Sequence, residues 1–329
     1  MLDGGPGDDL LDAHVDYGRR EMVRRPDTVS YRLSSGPVAV DLAAGTASGD
    51  GDDTVVKGDD LRILGSSFDD EMRGSSARDF LDGRGGDDHL TGRGGHDVLL
   101  DGPGDDRLAG GDQADVLLSY QGRDELAGED GPDLVIAVSR RSATVDGGRG
   151  ADFVMRQFVD GTSDVLDGGT GHNGLDLMPL LEAANPTISV DRAAGTAVAQ
   201  GGATATTASF SGFSSFNLDG RARWDYTGTD QTDSVQVISG KLDATTLGGD
   251  DFMLGDRRDD TLDGGDGTDV AWGGRGSNTC LNDEAGRCDA YPWERPATAQ
   301  MLPTGRQLAQ SGGFTALRPA LGELGQYLR

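Results

Sequence analysis

Between Gly65 and Ile136 the chain repeats every nine residues, eight times over, without an insertion or a deletion. GRGGDDHLT (83–91), GRGGHDVLL (92–100) and DGPGDDRLA (101–109) are the clearest copies. The sixth place is Asp in all eight: Asp70, Asp79, Asp88, Asp97, Asp106, Asp115, Asp124 and Asp133. The eighth is apolar in all eight: Met72, Leu81, Leu90, Leu99, Leu108, Leu117, Leu126 and Val135. A disordered low-complexity tract has no need to hold two places in phase over 72 residues, so the run encodes a repeated structure.

Six residues rich in Gly and Asp resist helix, because Gly loses backbone entropy there and Asp prefers caps and turns. Gly also tolerates positive φ, which suits a tight turn with inward carbonyls. The last three residues of a unit are long enough for one short strand. Its side chains alternate in direction, so the apolar middle one enters a core. Two units then make one coil of strand, turn, strand, turn. Aspartates two units apart stack along one edge at the strand spacing of about 4.8 Å.

Such a column opposes itself. Two carboxylates at that spacing repel by roughly 1 kcal/mol in water and about 3.5 kcal/mol at an effective dielectric of 20. A divalent ion between successive turns reverses the sign. Carboxylates and turn carbonyls offer an all-oxygen, flexible site, which favours calcium over zinc or copper, and over magnesium with its octahedral demand.

At these residues the chain resembles the RTX, or haemolysin-type, calcium-binding nonapeptide repeat, whose pattern is Gly-Gly-x-Gly-x-Asp followed by an apolar strand. Gly83-Arg84-Gly85-Gly86-Asp87-Asp88-His89-Leu90 fits it apart from Arg84 at the second place. The resemblance implies an all-β repeat solenoid, a right-handed parallel β-roll holding several calcium ions. The position-six Asp would bind them with carbonyls of the preceding turn. The implied ligands are Asp9, Asp70, Asp79, Asp88, Asp97, Asp106, Asp115, Asp124, Asp133, Asp152, Asp164, Asp251, Asp260 and Asp269. Carbonyls of Gly83, Gly86, Gly92, Gly95, Gly102 and Gly104 join them. Eight turns split between two edges leave three gaps on each, so up to six ions are expected in this run. Phe68, Ala77 and Gln113 replace the fourth-place Gly and weaken the expectation at their turns.

The composition agrees. Net charge is −28, from 57 acidic and 29 basic residues, and aromatics make up 5%. A chain so charged and so poor in apolar residues is expected to be disordered without metal. The acidic balance argues against nucleic-acid backbones and anionic membranes as partners. No apolar run approaches the length of a membrane-spanning helix.

In chain order, residues 1–30 hold partial repeats. Gly4 to Leu11 is a complete pattern, whereas Arg20 occupies a core place, so unit 13–21 is expected to loop out. Met1-Leu2-Asp3 does not open a secretory signal, and the chain starts mid-pattern; a longer precursor or another export route is expected. Residues 31–64 read as a β-hairpin insert. Its phrase Val40-Asp41-Leu42-Ala43-Ala44-Gly45-Thr46-Ala47 returns 150 residues later as Val190-Asp191-Arg192-Ala193-Ala194-Gly195-Thr196-Ala197, identical at seven of eight positions. The main roll covers 65–176, with Asn173 in a sixth place where a site would be weaker. A second β insert covers 177–245, where Phe210, Phe213 and Phe216 suggest a small apolar cluster. A short roll occupies 246–288, with Cys280 and Cys288 expected to form a disulfide, which fits an oxidising compartment. Residues 289–329 are a tail that is a cap, an export signal or a linker.

Catalytic signatures do not emerge. There is no Gly-x-Ser-x-Gly, His-Glu-x-x-His or P-loop pattern. His14, His89, His96 and His172 are isolated, and the neighbouring Asp pairs of the nonapeptide runs belong to the repeat. The expectation is a secreted, extracellular calcium-binding structural module and not an enzyme. The alternative is the non-catalytic repeat region of a larger secreted enzyme or adhesin. A polysaccharide-modifying enzyme is the least supported reading. An extracellular polysaccharide or cell-surface partner is left open.

Overall fold

The computed structural model describes residues 2–4, 7, 9–12, 27–49, 51–56, 61–181, 183, 185–200, 205–283 and 288. Unit 13–21, His14 and the tail 289–329 lie outside the described residues. Every described element is a β-strand. The chain divides into two compact units between Asp152 and Phe153.

In the first unit, each nine-residue unit makes one turn and one strand, and alternate strands join alternate faces. One face stacks Asp79–Asp82, Val98–Leu100, Val116–Ser119 and Leu134–Ala137 in parallel. The other stacks Glu71–Arg73, His89–Gly94, Arg107–Asp112 and Glu125–Asp130. Register is set by the repeat: Leu90 pairs with Leu108 and Leu108 with Leu126, each two units apart. This is the parallel β-solenoid expected from the repeat. The apolar eighth places form its core, with Met72, Leu81, Leu90, Leu99, Leu117 and Val135 all at 0% exposure.

The recurring phrase has one structural meaning in both units. Ala39–Asp41 and Thr46–Ser48 pair antiparallel, and Thr46–Ser48 pairs antiparallel again with Asp52–Val56. The inserted strand thus lies within the face, since its outer neighbours pair in parallel with Glu71–Arg73 and Leu10–Asp12. In the second unit Thr187–Asp191, Thr196–Gln200 and Thr206–Ser211 repeat the arrangement, flanked in parallel by Ala222–Thr229 and Ser163–Asp167. The turns match as well. Asp41 Oδ1 accepts the Ala44 N–H at 3.0 Å and Asp191 Oδ1 accepts that of Ala194 at 2.8 Å. Gly45 and Gly195 both sit at positive φ, 70° and 64°.

The second unit continues parallel coiling through much of what reads in sequence as irregular. Phe213–Leu218, Ser234–Val237, Phe252–Leu254 and Val270–Trp272 stack on one face. Ala222–Thr229, Gly240–Leu247, Thr261–Asp263 and Thr279–Leu281 stack on the other. Larger side chains fill this interior. Phe216 lies 5.4 Å from both Phe210 and Tyr226, ring centre to ring centre, and Trp224 is fully buried. Cys280 and Cys288 form a disulfide.

Candidate metal centre

The turns place the sixth-place aspartates in columns. On one edge the N–H of Asp70 donates to Asp88 Oδ1 (2.8 Å), Asp88 to Asp106 (2.7 Å) and Asp106 to Asp124 (3.1 Å). On the other, Asp79 donates to Asp97 (2.7 Å), Asp97 to Asp115 (2.7 Å), Asp115 to Asp133 (2.8 Å) and Asp133 to Asp152 (2.9 Å). All of these carboxylates are buried. Oδ1 of Asp88, Asp97, Asp106, Asp115, Asp124, Asp133 and Asp152 therefore locks the coil register through a backbone N–H, whereas Asp79 accepts the N–H of Ser75 in its own turn.

The second oxygen has a different surrounding. Oδ2 of Asp88, Asp106, Asp115 and Asp133 is buried with no hydrogen-bond partner. In Asp88, Asp115 and Asp133 it faces the first-place glycine of its own unit. A Cβ added to Gly83 would lie 2.4 Å from Asp88 Oδ2 and 3.0 Å from the Asp101 carbonyl. One added to Gly92 would meet Asp97 Oδ2 at 2.5 Å and the Gly110 carbonyl at 2.4 Å. The missing side chain thus leaves a cradle lined by a carboxylate oxygen and a carbonyl of the next coil. A buried polar atom costs free energy unless it is partnered, and a buried charge costs far more. These donor sets, all oxygen and built on flexible turns, suit calcium. Burial lifts Asp88, Asp115 and Asp133 to about 8 and Asp106 to about 7, with neighbouring acidic groups adding to the rise.

The glycines divide the work. Second places lie in the left-handed region, at Gly102 (φ 143°) and Gly111 (φ 113°), but also at Arg84 (79°), Arg93 (74°) and Glu129 (73°). Arg84 therefore departs from the pattern in residue type without departing in backbone. Fourth-place Gly86, Gly95 and Gly104 are at positive φ as well, and Gln113 adopts it at 81°. A Cβ on Gly104 would lie 1.9 Å from the Gly86 carbonyl, and one on Gly102 1.9 Å from that of Arg84, so only glycine lets those turns stack.

Elsewhere the column is answered by other groups. Asp164, expected from sequence as a metal ligand, instead holds the guanidinium of Arg156 at 2.9 Å, both side chains at 0% exposure. That pairing neutralises the carboxylate without a metal. Asn173 keeps the sixth place but donates from Nδ2 to the carbonyls of Gly168 and, at 3.1 Å, Gly212. Its amide hydrogens occupy the carbonyls that a cation would draw. In the second unit Asp251 donates to Asp269 Oδ1 (2.9 Å), and Asp260 donates to Asn278 Oδ1 (2.9 Å).

Two column members are not in the ligand set read from sequence. Asp9 donates its N–H to Asp53 Oδ1 at 3.0 Å, so Asp53 stands as the sixth place of unit 48–56, with Val55 in the core. The signal is present in Gly49-x-Gly51-x-Asp53-x-Val55. Asp233 donates to Asp251 Oδ1 at 2.7 Å and lies 18 residues before it, in phase. Its own carboxylate pairs with Arg192 at 2.6 Å and accepts the Tyr226 hydroxyl at 2.5 Å. His89, His96 and His172 are exposed.

The architecture is that of a repeat protein, a parallel β-solenoid with columns of buried carboxylates on its turns. Residues 64–99, 101–135 and 245–280 match the RTX calcium-binding nonapeptide repeat, so the chain carries repeats of that family. A search of curated proteins gives no match. Those repeats are structural calcium-binding elements and not catalytic ones.

Proposed function

We propose that this chain is a secreted structural module that folds by loading several calcium ions into the gaps between stacked turns. The supporting observation is the repeated Oδ2 of Asp88, Asp115 and Asp133, buried and unpartnered beside carbonyls of the next coil, with Oδ2 of Asp106 likewise buried and unpartnered. Asp70, Asp79, Asp97, Asp124 and Asp152 complete the columns of the first unit, and Asp251, Asp260 and Asp269 those of the second. Such sites do not preexist in the unfolded chain, so binding free energy adds to folding free energy. Extracellular calcium modules bind at about 10⁻⁴ to 10⁻³ M. A chain with this affinity stays open at cytosolic calcium and coils outside. The disulfide fits the same oxidising location.

Circular dichroism tests the reading. Adding millimolar calcium to chelator-treated protein should convert a coil spectrum to a β spectrum, and magnesium should do much less. A spectrum indifferent to calcium would overturn the proposal.

A further inference from the structure

The first places of the eight units are Gly65, Gly74, Gly83, Gly92, Asp101, Gly110, Ser119 and Gly128. At the glycines the Cβ direction runs into the unit's own sixth-place Oδ2: 2.4 Å from Gly65 to Asp70, 2.6 Å from Gly110 to Asp115 and 2.5 Å from Gly128 to Asp133. Asp101 therefore sends a side chain into the cradle that glycine leaves open. Its carboxylate, at 0% exposure, meets those of Asp106 and Asp124, with one oxygen from each lying within 4.8 Å of the others.

Asp101 accepts the N–H of Gly102 at 2.5 Å and, at 3.3 Å, that of Tyr120. Asp106 Oδ1 takes the Asp88 N–H, and Asp124 takes the Asp106 N–H and the Ser119 hydroxyl. Asp106 Oδ2, in a side chain 1% exposed, has no partner at all. Three carboxylates in a dry gap, one with an unpartnered oxygen, call for a cation of high charge.

We infer that Asp101 makes the gap between units 101–109 and 119–127 a three-carboxylate cation site. It binds calcium more tightly than the two-carboxylate gaps and accepts a trivalent lanthanide in its place. Affinity in oxygen-ligand calcium sites rises with the count of charged ligands. A divalent ion leaves this gap with one residual negative charge, and a trivalent ion leaves none. The inference rests on the calcium reading of the columns and adds a ligand at a place where the repeat has glycine.

Calorimetric titration of the full chain with calcium chloride, and luminescence titration with terbium chloride excited through tyrosine, test it. The wild type should show one ion bound roughly tenfold more tightly than the rest. Terbium emission should saturate first at one equivalent, because Tyr120 adjoins the site. Asp101→Gly, which restores the residue of the other units, and Asp101→Asn, which keeps the shape, should both abolish the tight step and leave the weaker ions in place. Circular dichroism in saturating calcium checks that both variants are coiled. Isotherms of both variants superimposing on the wild type, or tighter binding in either, would overturn the assignment of Asp101 alone. A wild type that takes up no calcium would overturn the calcium reading with it.

Discussion

The sixth-place Asp does two jobs with two oxygens. In Asp88, Asp106, Asp115 and Asp133, Oδ1 ties its turn to the coil before it, while Oδ2 is buried without a partner and is the oxygen proposed to meet the cation. Burial raises Asp88, Asp115 and Asp133 from 3.8 to about 8 and Asp106 to about 7. A pKa raised on folding favours the folded state while the group is protonated in both states. That support is lost as pH climbs from about 4 through 7 to 8. In chelator the coil should therefore lose β signal and melt at lower temperature as pH rises across this window. In saturating calcium the dependence should flatten, because metal replaces the protons and its affinity grows with pH. Stabilisation of the chelated protein by rising pH would contradict the burial argument. A second test compares two columns. Asp106 is bonded to Asp88 and Asp124, two further aspartates of its column. Asp251 is flanked on one side by Asp233, which Arg192 already neutralises. Asp106→Ala should thus lose more bound calcium than Asp251→Ala, as counted by calorimetry. Equal losses would show that the arginine does not replace an ion.

At the scale of the element, the strands follow from the apolar eighth place and the turns from glycine. Leu99→Ala should cost about 2–5 kcal/mol of stability, since Leu99 is fully buried in the ladder. The arginine pairs make a further distinction between elements. Arg156 and Asp164 hold their turn without metal, so coils near them should persist longest when calcium is withdrawn. Arg156→Met removes the ion-pair partner of the buried Asp164 carboxylate and should destabilise by about 3–5 kcal/mol in chelator, read by thermal unfolding. An unchanged midpoint would mean that Asp164 is held by other groups. The columns of 65–136 were legible in the sequence because Asp and an apolar residue recur in phase. Unit 48–56 was not, because the antiparallel strand Thr46–Ser48 shifts the frame, placing Asp53 44 residues after Asp9. Asp233 was in phase with Asp251 but stood in text rich in Ser and Thr. The arginine pairs leave no periodic trace, since each joins side chains that only the coiling brings together.

Over the whole molecule, charge and metal are one subject. A net charge of −28 opposes any compact state, and the proposed calcium ions would lower that repulsion. The recurrence of the same inserted strand 150 residues apart, in two units with matching turns, shows one building plan used twice. Within that plan the sixth-place carboxylate meets a guanidinium at Asp164 and Asp233, and at Asn173 a neutral amide takes the carboxylate's place. The central claim is that metal lies against the second oxygen of these aspartates. Anomalous scattering from crystals grown in calcium tests it most directly. Peaks should fall about 2.3–2.6 Å from Oδ2 of Asp88, Asp106, Asp115 and Asp133. Ordered coils with no peak beside those oxygens would contradict it.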